Sequence, residues 1–221
     1  MSAVRVPALA EHTATVIFMH GLGDSGSGWK FLADEYRSRK VLDHVAFVFP
    51  NAPRQKVTLN FGLEMPSWFD IIALNKVEAQ EDRSGMMESV DRLKAFIKEE
   101  MDKGISPDRI VIGGFSQGCT ISLLTGLISD VKFGGVIGLS GFVPMRSQIG
   151  QMHAEHNVNM PFFIGHGTAD PVVRYEYGVF TKNLLEKLGI THEFHEYAGL
   201  SHSASPTEIN DVLNFLNKVI P

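Results

Sequence analysis

Six short runs of mainly β-branched, aromatic and other apolar residues constrain the fold of this chain most strongly. Each run is followed within two residues by Gly or Pro, and most are nearly continuously apolar rather than alternating. This pattern is typical of strands that are buried on both faces of a largely parallel sheet. The predicted strands are Thr15–Met19, Val45–Phe49, Arg109–Ile112, Gly135–Leu139, Pro161–Ile164 and Glu193–Tyr197.

Amphipathic segments lie between these runs. The segment Ser84–Lys103 places apolar residues three or four positions apart and is followed by Gly104, as expected for a helix with one buried face. The alternation predicts a single α/β domain over residues 1–221, with helices on both faces of a mostly parallel sheet and residues 1–14 as a short N-terminal extension. The other predicted helices are Trp29–Arg37, Gln117–Ser129, Arg174–Leu188 and Ser205–Ile220, the last of which opens with a capping box.

Composition narrows the possible function classes. The net charge is −5, from 20 Lys and Arg against 25 Asp and Glu, and the basic residues are dispersed, which argues against a nucleic-acid partner. The single cysteine, Cys119, excludes an intrachain disulfide and a cysteine-based metal site, so we expect no metal or cofactor and a reducing compartment, the cytoplasm or the nucleus. No apolar run approaches the roughly 20 residues of a membrane helix, so we expect peripheral membrane contact at most.

A G-x-S-x-G motif, Gly114–Gly118, is the first candidate for chemistry. It follows strand Arg109–Ile112 and opens helix Gln117–Ser129, which is the strand–turn–helix setting of a nucleophile elbow. The flanking glycines allow a sharp turn that exposes the Ser116 hydroxyl, and the helix N-terminus offers N–H groups to a developing negative charge. The alternative is an ordinary glycine-rich turn with a capping serine.

A serine hydroxyl becomes a good nucleophile when a base takes its proton, so the motif requires a histidine and a carboxylate that orients it. In α/β hydrolases these residues follow the serine in the order Asp, then His, on loops after later strands. Asp170 lies in a turn-rich loop after strand Pro161–Ile164, and His202 lies between strand Glu193–Tyr197 and the capped helix. The sequence therefore predicts Ser116, Asp170 and His202 as a catalytic triad.

Other acidic and histidine side chains fit these roles less well. Asp108 precedes the serine, and Asp130 lies at the end of its helix. His192 and His195 belong to a predicted strand or its border.

His153 and His156 have a metal-like spacing but no further ligands beside them, which favours a solvated surface pair. His166 precedes Asp170 in the same loop and is interpreted as a histidine bonded to the backbone.

A glycine-rich loop after the first predicted strand offers a further hydrogen-bond donor. It reads His20-Gly21-Leu22-Gly23-Asp24-Ser25-Gly26-Ser27-Gly28, and in esterases a loop at this position turns a backbone N–H toward the nucleophile. The alternative is a nucleotide-phosphate loop. The sequence lacks the acidic residue that such a loop requires at the end of the next strand, and it lacks the Gly-Lys-Ser/Thr of a P-loop. We therefore interpret this segment as an oxyanion loop.

Five ordered motifs resemble those of the acyl-protein thioesterase/lysophospholipase family of small α/β hydrolases, collinearly from about Val16 to the C-terminus. The resemblance implies Ser116 as nucleophile, His202 as base, Asp170 as its orienting carboxylate, and the backbone N–H groups of Leu22 and Gln117 as the oxyanion hole. It also implies hydrolysis of palmitoyl thioesters on protein cysteines. The alternative is a carboxylesterase or lysophospholipase that acts on small esters or acyl lipids. The motifs are Phe18–Asp24, Phe49–Pro53, Met65–Ile71, Gly113–Gly118 and Gly199–Ser203.

In that family, the segment matching Val57–Trp68 forms a lid-like loop beside an acyl-chain channel. Here the segment is apolar for a connection, and the resemblance implies S-acylated proteins and acyl lipids as partners. Two departures from the family pattern, Cys119 and Thr168-Ala169, leave the width of the acyl site open. The residues that the resemblance assigns to acyl binding, with core packing as the alternative, are Leu59, Phe61, Leu63, Met65 and Trp68.

Overall fold

The computed structural model describes residues 2–73 and 81–221 of the chain. Its strands are β1 Ala3–Val6, β2 Ala14–Met19, β3 Val45–Pro50, β4 Arg54–Val57, β5 Leu63–Pro66, β6 Ile110–Phe115, β7 Gly135–Leu139, β8 Phe162–Gly167 and β9 His192–Tyr197. Its α-helices are α1 Gly26–Trp29, α2 Phe31–Ser38, α3 Arg83–Asp102, α4 Gln117–Ile128, α5 Arg146–Met152, α6 Tyr175–Lys187 and α7 Pro206–Val219.

The large sheet has the strand order β1-β3-β2-β6-β7-β8-β9. Strand β1 is antiparallel to β3, and the other neighbours are parallel to each other. Because β2 lies between β3 and β6, the direction in which successive strands are added reverses between β2 and β6. In open α/β sheets such a reversal creates a crevice at the carboxyl ends of the strands, where ligands bind. The glycine-rich loop after β2 and Ser116 after β6 both lie at this crevice.

Strand β2 shows why the predicted strands are almost continuously apolar. Val16 and Phe18 pack on the side of the sheet that α1, α2 and α7 cover, whereas Ile17 and Met19 pack on the side that α3, α4, α5 and α6 cover. All four side chains are at most 1% exposed, because helices bury both faces of the sheet. The predicted α/β-hydrolase architecture is therefore confirmed. In the described parts of the chain, no helix is long and apolar enough to cross a membrane.

Several short elements carry no clear signal in the sequence. Ala3–Val6, inside the segment predicted as an N-terminal extension, is the edge strand β1. The predicted lid-like loop, Val57–Trp68, holds strand β5 and the turn of the hairpin that β5 forms with β4. These strands have four residues each and are only partly buried, so no long apolar run marks them. Helix α5 lies outside the predicted helices, and the predicted helix Trp29–Arg37 divides into α1 and α2.

Candidate active site

Ser116 occupies a strained turn between β6 and α4. Its φ of 55° and ψ of −116° lie in a region that residues other than glycine rarely adopt. A Cβ atom on Gly114 would lie 2.4 Å from the carbonyl carbon of Gly118, and one on Gly118 would lie 2.2 Å from the carbonyl oxygen of Met19. The Ser116 side chain makes no helix-capping hydrogen bond. The two glycines of the motif therefore permit a tight elbow, and the Ser116 hydroxyl is not used to cap the helix.

The three residues predicted as a triad meet at the carboxyl edge of the sheet. The Nε2 atom of His202 lies 3.0 Å from the Ser116 hydroxyl, and its Nδ1 atom lies 2.7 Å from Oδ2 of Asp170. Because an ionised carboxylate only accepts hydrogen bonds, Nδ1 carries the proton of the neutral imidazole. Nε2 is then free to accept the proton of the serine hydroxyl.

Backbone donors hold the Asp170 carboxylate in place. Its Oδ1 atom accepts hydrogen bonds from the N–H groups of Val172 at 2.8 Å and Val173 at 2.9 Å, while Oδ2 faces His202. His166, fully buried beside this turn, donates from Nε2 to the Val173 carbonyl at 2.8 Å. Burial lowers the pKa of His166, so its imidazole is held neutral. His166 is thus bonded to the backbone, and it also supports the Asp170 turn.

The loop that carries Asp170 is joined directly to the loop that carries His202. The hydroxyl of Thr168 accepts a hydrogen bond from the Gly199 N–H at 2.9 Å. A Cβ atom on Gly167 would lie 2.2 Å from the Leu200 carbonyl oxygen, so glycine is needed where the loops touch. The departure from the family pattern at Thr168 therefore places a hydroxyl where it bridges two site loops.

The glycine-rich loop after β2 runs beside Ser116. The Nε2 atom of His20 accepts a hydrogen bond from the Ala52 N–H at 3.1 Å, so Nδ1 is protonated and donates to the Gly21 carbonyl at 2.6 Å. In a trans peptide the following N–H points the opposite way, so the Leu22 N–H is directed away from His20. The ideal Cβ position of Gly21 is 3.3 Å from the Ser116 Cβ. Burial lowers the pKa of His20 and keeps this tautomer neutral.

Gln117 is the second residue predicted to donate to an oxyanion. As the first residue of α4, its N–H has no carbonyl partner within the helix, and it lies at the positive end of the helix dipole. Leu22 and Gln117 both line the cavity into which Ser116 opens. The structure thus brings together all five residues predicted for the triad and the oxyanion hole.

This cavity has a volume of about 530 Å³ and extends from the triad between apolar side chains. Its apolar wall comes from segments that are far apart in the sequence, and no residue pattern marks them as neighbours. Leu22 lies in the oxyanion loop, and Trp29 and Phe31 lie directly after it, so a reading of that motif could have included them. The large apolar residues of the wall, among the described residues, are Leu22, Trp29, Phe31, Leu59, Phe69, Ile71, Ile72, Met86, Phe115, Phe142, Val172 and Val173.

Among the five residues predicted to bind an acyl chain, Leu59 lines the described cavity and the other four do not. Trp68 is 2% exposed and packs in the core, where its indole N–H donates to the His20 carbonyl at 2.8 Å. Phe61 and Leu63, at the turn of the β4–β5 hairpin, are 97% and 63% exposed. Met65, in β5, is half-buried. The prediction that all five face one acyl site does not match this arrangement, because the hairpin turns its tip outward.

Three further candidate histidines, all with described side chains, have structural contacts. His192 lies 2.8 Å from the Ile190 carbonyl, and His195 stacks on Phe163. His153 contacts the Gly150 carbonyl, and the side chain of its predicted partner, His156, is outside the described part of the structure. Within the described residues, no three His, Cys, Asp or Glu side chains form a group suited to a metal ion.

Cys119 is fully buried one turn after Ser116, and its Sγ atom lies against Gly138 and Gly141. Burial raises the pKa of its thiol, which keeps the sulfur protonated and unreactive. It is a core residue and does not line the cavity that contains Ser116.

Comparison with known proteins finds relatives that match nearly the whole chain. A family model described as Phospholipase/Carboxylesterase matches residues 2–220. An acyl-protein thioesterase 1 of Yarrowia lipolytica is 52% identical over 220 residues, which cover 99% of this chain and 97% of that protein. The crystal structure of Arabidopsis thaliana SOBER1 has a TM-score of 0.88 at 34% identity and covers 94% of this chain and 99% of its own. The crystal structure of Zea mays acyl-protein thioesterase 2 has a TM-score of 0.88 at 26% identity and covers 100% of this chain and 99% of its own.

The family match spans nearly the whole chain, and the similar proteins share its architecture. The chain therefore belongs to the phospholipase/carboxylesterase family of α/β hydrolases.

Proposed function

We propose that this chain is a serine thioesterase that cleaves long-chain acyl groups, such as palmitoyl, from protein cysteines through an acyl-serine intermediate. The observation that carries the proposal is the hydrogen-bonded series from Asp170 through His202 to Ser116, at the mouth of an apolar cavity. The curated relatives are acyl-protein thioesterases by name, which supports the same reaction here.

In the acylation step, His202 Nε2 takes the proton of the Ser116 hydroxyl as its oxygen attacks the acyl carbonyl carbon. The carbonyl oxygen gains negative charge, and the N–H groups of Leu22 and Gln117 stabilise it. Asp170 keeps the imidazole oriented and stabilises its positive charge. The tetrahedral intermediate then breaks its C–S bond, and the leaving cysteine takes the proton from His202, either as the bond breaks or directly afterwards as a thiolate. The acyl group remains on Ser116, and His202 is neutral again.

In the second step the residues keep these roles, and water takes the place of Ser116 as the nucleophile. His202 Nε2 takes a proton from water, the resulting hydroxide attacks the acyl-serine carbonyl, and the same N–H groups stabilise the oxyanion. His202 returns the proton to the Ser116 oxygen as the ester bond breaks, and the fatty acid leaves.

The cavity provides the apolar surface that a long acyl chain requires. Each CH₂ group transferred from water to such a surface contributes about 0.8 kcal/mol, so a long chain gains more than a short one. Leu59 and Phe142 are two of the side chains positioned to contact the chain. This favours substrates with long acyl groups over acetyl esters.

A carboxylesterase or lysophospholipase activity is the second candidate, and the description of the matching family favours it. The triad serves both reactions. A cysteine thiol, with a pKa near 8.5, leaves more readily than an alcohol, so thioester cleavage needs less help from His202 as an acid. The leaving group, rather than the triad, distinguishes these substrates.

We propose that the protein acts in the cytoplasm on S-acylated proteins and acyl lipids, with peripheral contact to the membrane that holds them. A reducing compartment fits the single cysteine, which is buried and free. The exposed Phe61 and Leu63 are apolar groups available for that peripheral contact. Separation of cell fractions would test the location.

The direct test compares kcat/KM on an S-palmitoyl peptide and on a lysophospholipid for the wild type, Ser116→Ala and Ser122→Ala. Ser122 is a matched control because it is a fully buried serine of the same helix that does not line the described cavity. We expect Ser116→Ala to lose both activities and Ser122→Ala to retain them, with the peptide preferred. A wide preference for the lysophospholipid would contradict the thioesterase proposal.

A further inference from the structure

The last residue of strand β5 and the three residues after it contact both sides of the proposed oxyanion hole. We call residues 66–69 the strap. The carbonyl of Pro66 accepts a hydrogen bond at 2.8 Å from the N–H of Gly23, the residue after Leu22. The Trp68 indole N–H donates to the His20 carbonyl. The strap therefore holds the oxyanion loop at two points, one on each side of Leu22.

The same strap holds the other predicted donor residue through its side chain. The Gln117 amide is buried, and its Nε2 donates to the Phe69 carbonyl at 2.8 Å and to the Ser67 hydroxyl at 3.2 Å. Its Oε1 accepts from the Trp68 N–H at 3.1 Å. The Ser67 hydroxyl in turn donates to the Phe69 carbonyl at 2.6 Å. Both ends of the amide are thus bonded to one short segment of backbone.

A backbone N–H at position 117 does not require a glutamine, because residues other than proline supply one. The bonds of the side chain need a separate explanation. Ser116 is held in a strained conformation, and strained residues persist only where their surroundings over-determine them. An amide that fixes the next residue to the strap supplies such a restraint directly beside the elbow.

We infer that the Gln117 side chain is a positioning residue: through the strap, it fixes the Gln117 N–H relative to the Leu22 N–H, so that both aim at one oxyanion. The inference rests on the proposed serine hydrolase function. An oxyanion hole stabilises charge because its donors are in place before the reaction begins. Looser donors would weaken binding of the tetrahedral state more than binding of the substrate.

The test uses Gln117→Met, which has a similar size but no amide. Asn157→Leu is the matched control, because Asn157 is a buried amide that donates to the carbonyls of Gly126 and Ser129 at the other end of α4. The measurements are kcat and KM on a chromogenic acyl ester, the melting temperature, and the affinity of an alkyl boronic acid that forms a tetrahedral adduct with the active serine.

We expect Gln117→Met to lower kcat and boronic acid affinity at least about tenfold, with KM changed less than about threefold. Asn157→Leu should lower the melting temperature while kcat and boronic acid affinity stay within about twofold of wild type. A folded Gln117→Met enzyme with unchanged kcat and boronic acid affinity would overturn the inference. Equal losses of both quantities in Asn157→Leu would also overturn it, because they would indicate a general structural effect.

Ser67→Ala provides a milder test if Gln117→Met does not fold. It removes one member of the network, so kcat and boronic acid affinity should both fall about threefold. Where Gln117→Met does fold, the double variant should lose no more than Gln117→Met alone, since both changes disrupt one unit. Unchanged values in Ser67→Ala, or full additivity, would contradict the inference. Failure of the thioesterase proposal has a different result: the wild type would cleave the ester but not the S-palmitoyl peptide, while the Gln117→Met effect on the ester persists.

Discussion

The hydroxyl of Thr168 accepts a hydrogen bond from the Gly199 N–H at 2.9 Å, and this contact joins the Asp170 loop to the His202 loop. A second tie runs from the Ala169 N–H to the Leu200 carbonyl at 3.1 Å. The distance between the proposed base and its orienting carboxylate is therefore set partly by residues that take no part in the chemistry.

Replacement of Thr168 by valine tests this coupling. Thr168→Val keeps the shape but removes the acceptor, and loss of one neutral hydrogen bond should lower kcat about twofold to tenfold. Thr168→Ser retains the hydroxyl and should keep near-normal kcat. The kcat of both variants is measured with a chromogenic acyl ester. A loss in the serine variant as large as that in the valine variant would rule out the hydroxyl as the cause.

His166 should affect catalysis through the Asp170 turn. His166→Phe removes the Nε2 donor to the Val173 carbonyl, so we expect kcat to fall about tenfold with KM nearly unchanged. His166→Gln can place an amide N–H near the same carbonyl and should recover part of the loss. Steady-state kinetics on one chromogenic acyl ester give kcat for both variants. Equal kcat values for His166→Phe and His166→Gln would argue against a role for the Nε2 donor.

Leu59 and Phe61 should differ in their effect on long-chain substrates. Leu59 lines the cavity, whereas Phe61 is 97% exposed at the hairpin turn. Leu59→Ser should lower kcat/KM for a long acyl chain about fivefold to thirtyfold, the equivalent of about 1–2 kcal/mol of lost apolar contact, and spare an acetyl ester. Phe61→Ser should leave both rates unchanged in solution. The opposite order would show that the hairpin tip folds over the acyl chain.

Glu208 should make stability decrease as the pH rises. Burial raises the pKa of its carboxyl from 4.5 to about 8, against the lowering effect of the Ser205 N–H, and neither oxygen has a well-formed hydrogen bond in the described structure. The folded state thus favours the protonated acid, so this contribution is complete below the unfolded pKa and is lost as the pH rises through the folded pKa.

Glu208→Gln should remove that dependence, so its melting temperature relative to wild type should increase between about pH 5 and about pH 9. Glu186→Gln, which changes an exposed glutamate of α6, is the control and should give a nearly constant difference. Thermal unfolding across this range provides the measurement. A difference that stays constant for Glu208→Gln would mean that the acid is ionised in the folded protein.

The architecture and the proposed triad were predictable because their signals are local. Apolar runs mark the strands buried on both faces, and Ser116, Asp170 and His202 each follow such a run on a glycine-containing segment. The order of the residues in α/β hydrolases then reduces the candidates to these three. Parallel strands bring their carboxyl ends to one edge, so the three side chains meet without any further sequence signal.

The cavity wall was not predictable in the same way. Phe142 lies in the loop after β7 and Met86 lies in α3, and only the order of strands and helices brings both to the cavity. The apolar character of Phe61 and Trp68 suggested one surface, but it does not indicate direction. Phe61 projects from a hairpin turn into solvent, whereas Trp68 is fixed in the core by its hydrogen bond to the His20 carbonyl. The strap network is equally invisible in sequence, because each of its side chains bonds to backbone atoms of residues distant in sequence or to a side chain that does so.

The proposed mechanism requires that Ser116 carries the acyl group during turnover. The most direct test is to let the enzyme react with an S-palmitoyl peptide, quench the reaction in acid, digest the protein and locate the palmitoyl group by mass spectrometry. We expect palmitoyl on Ser116 in the wild type, and neither this adduct nor turnover in Ser116→Ala. Undiminished turnover by Ser116→Ala, or a palmitoyl group on another residue with none on Ser116, would contradict it.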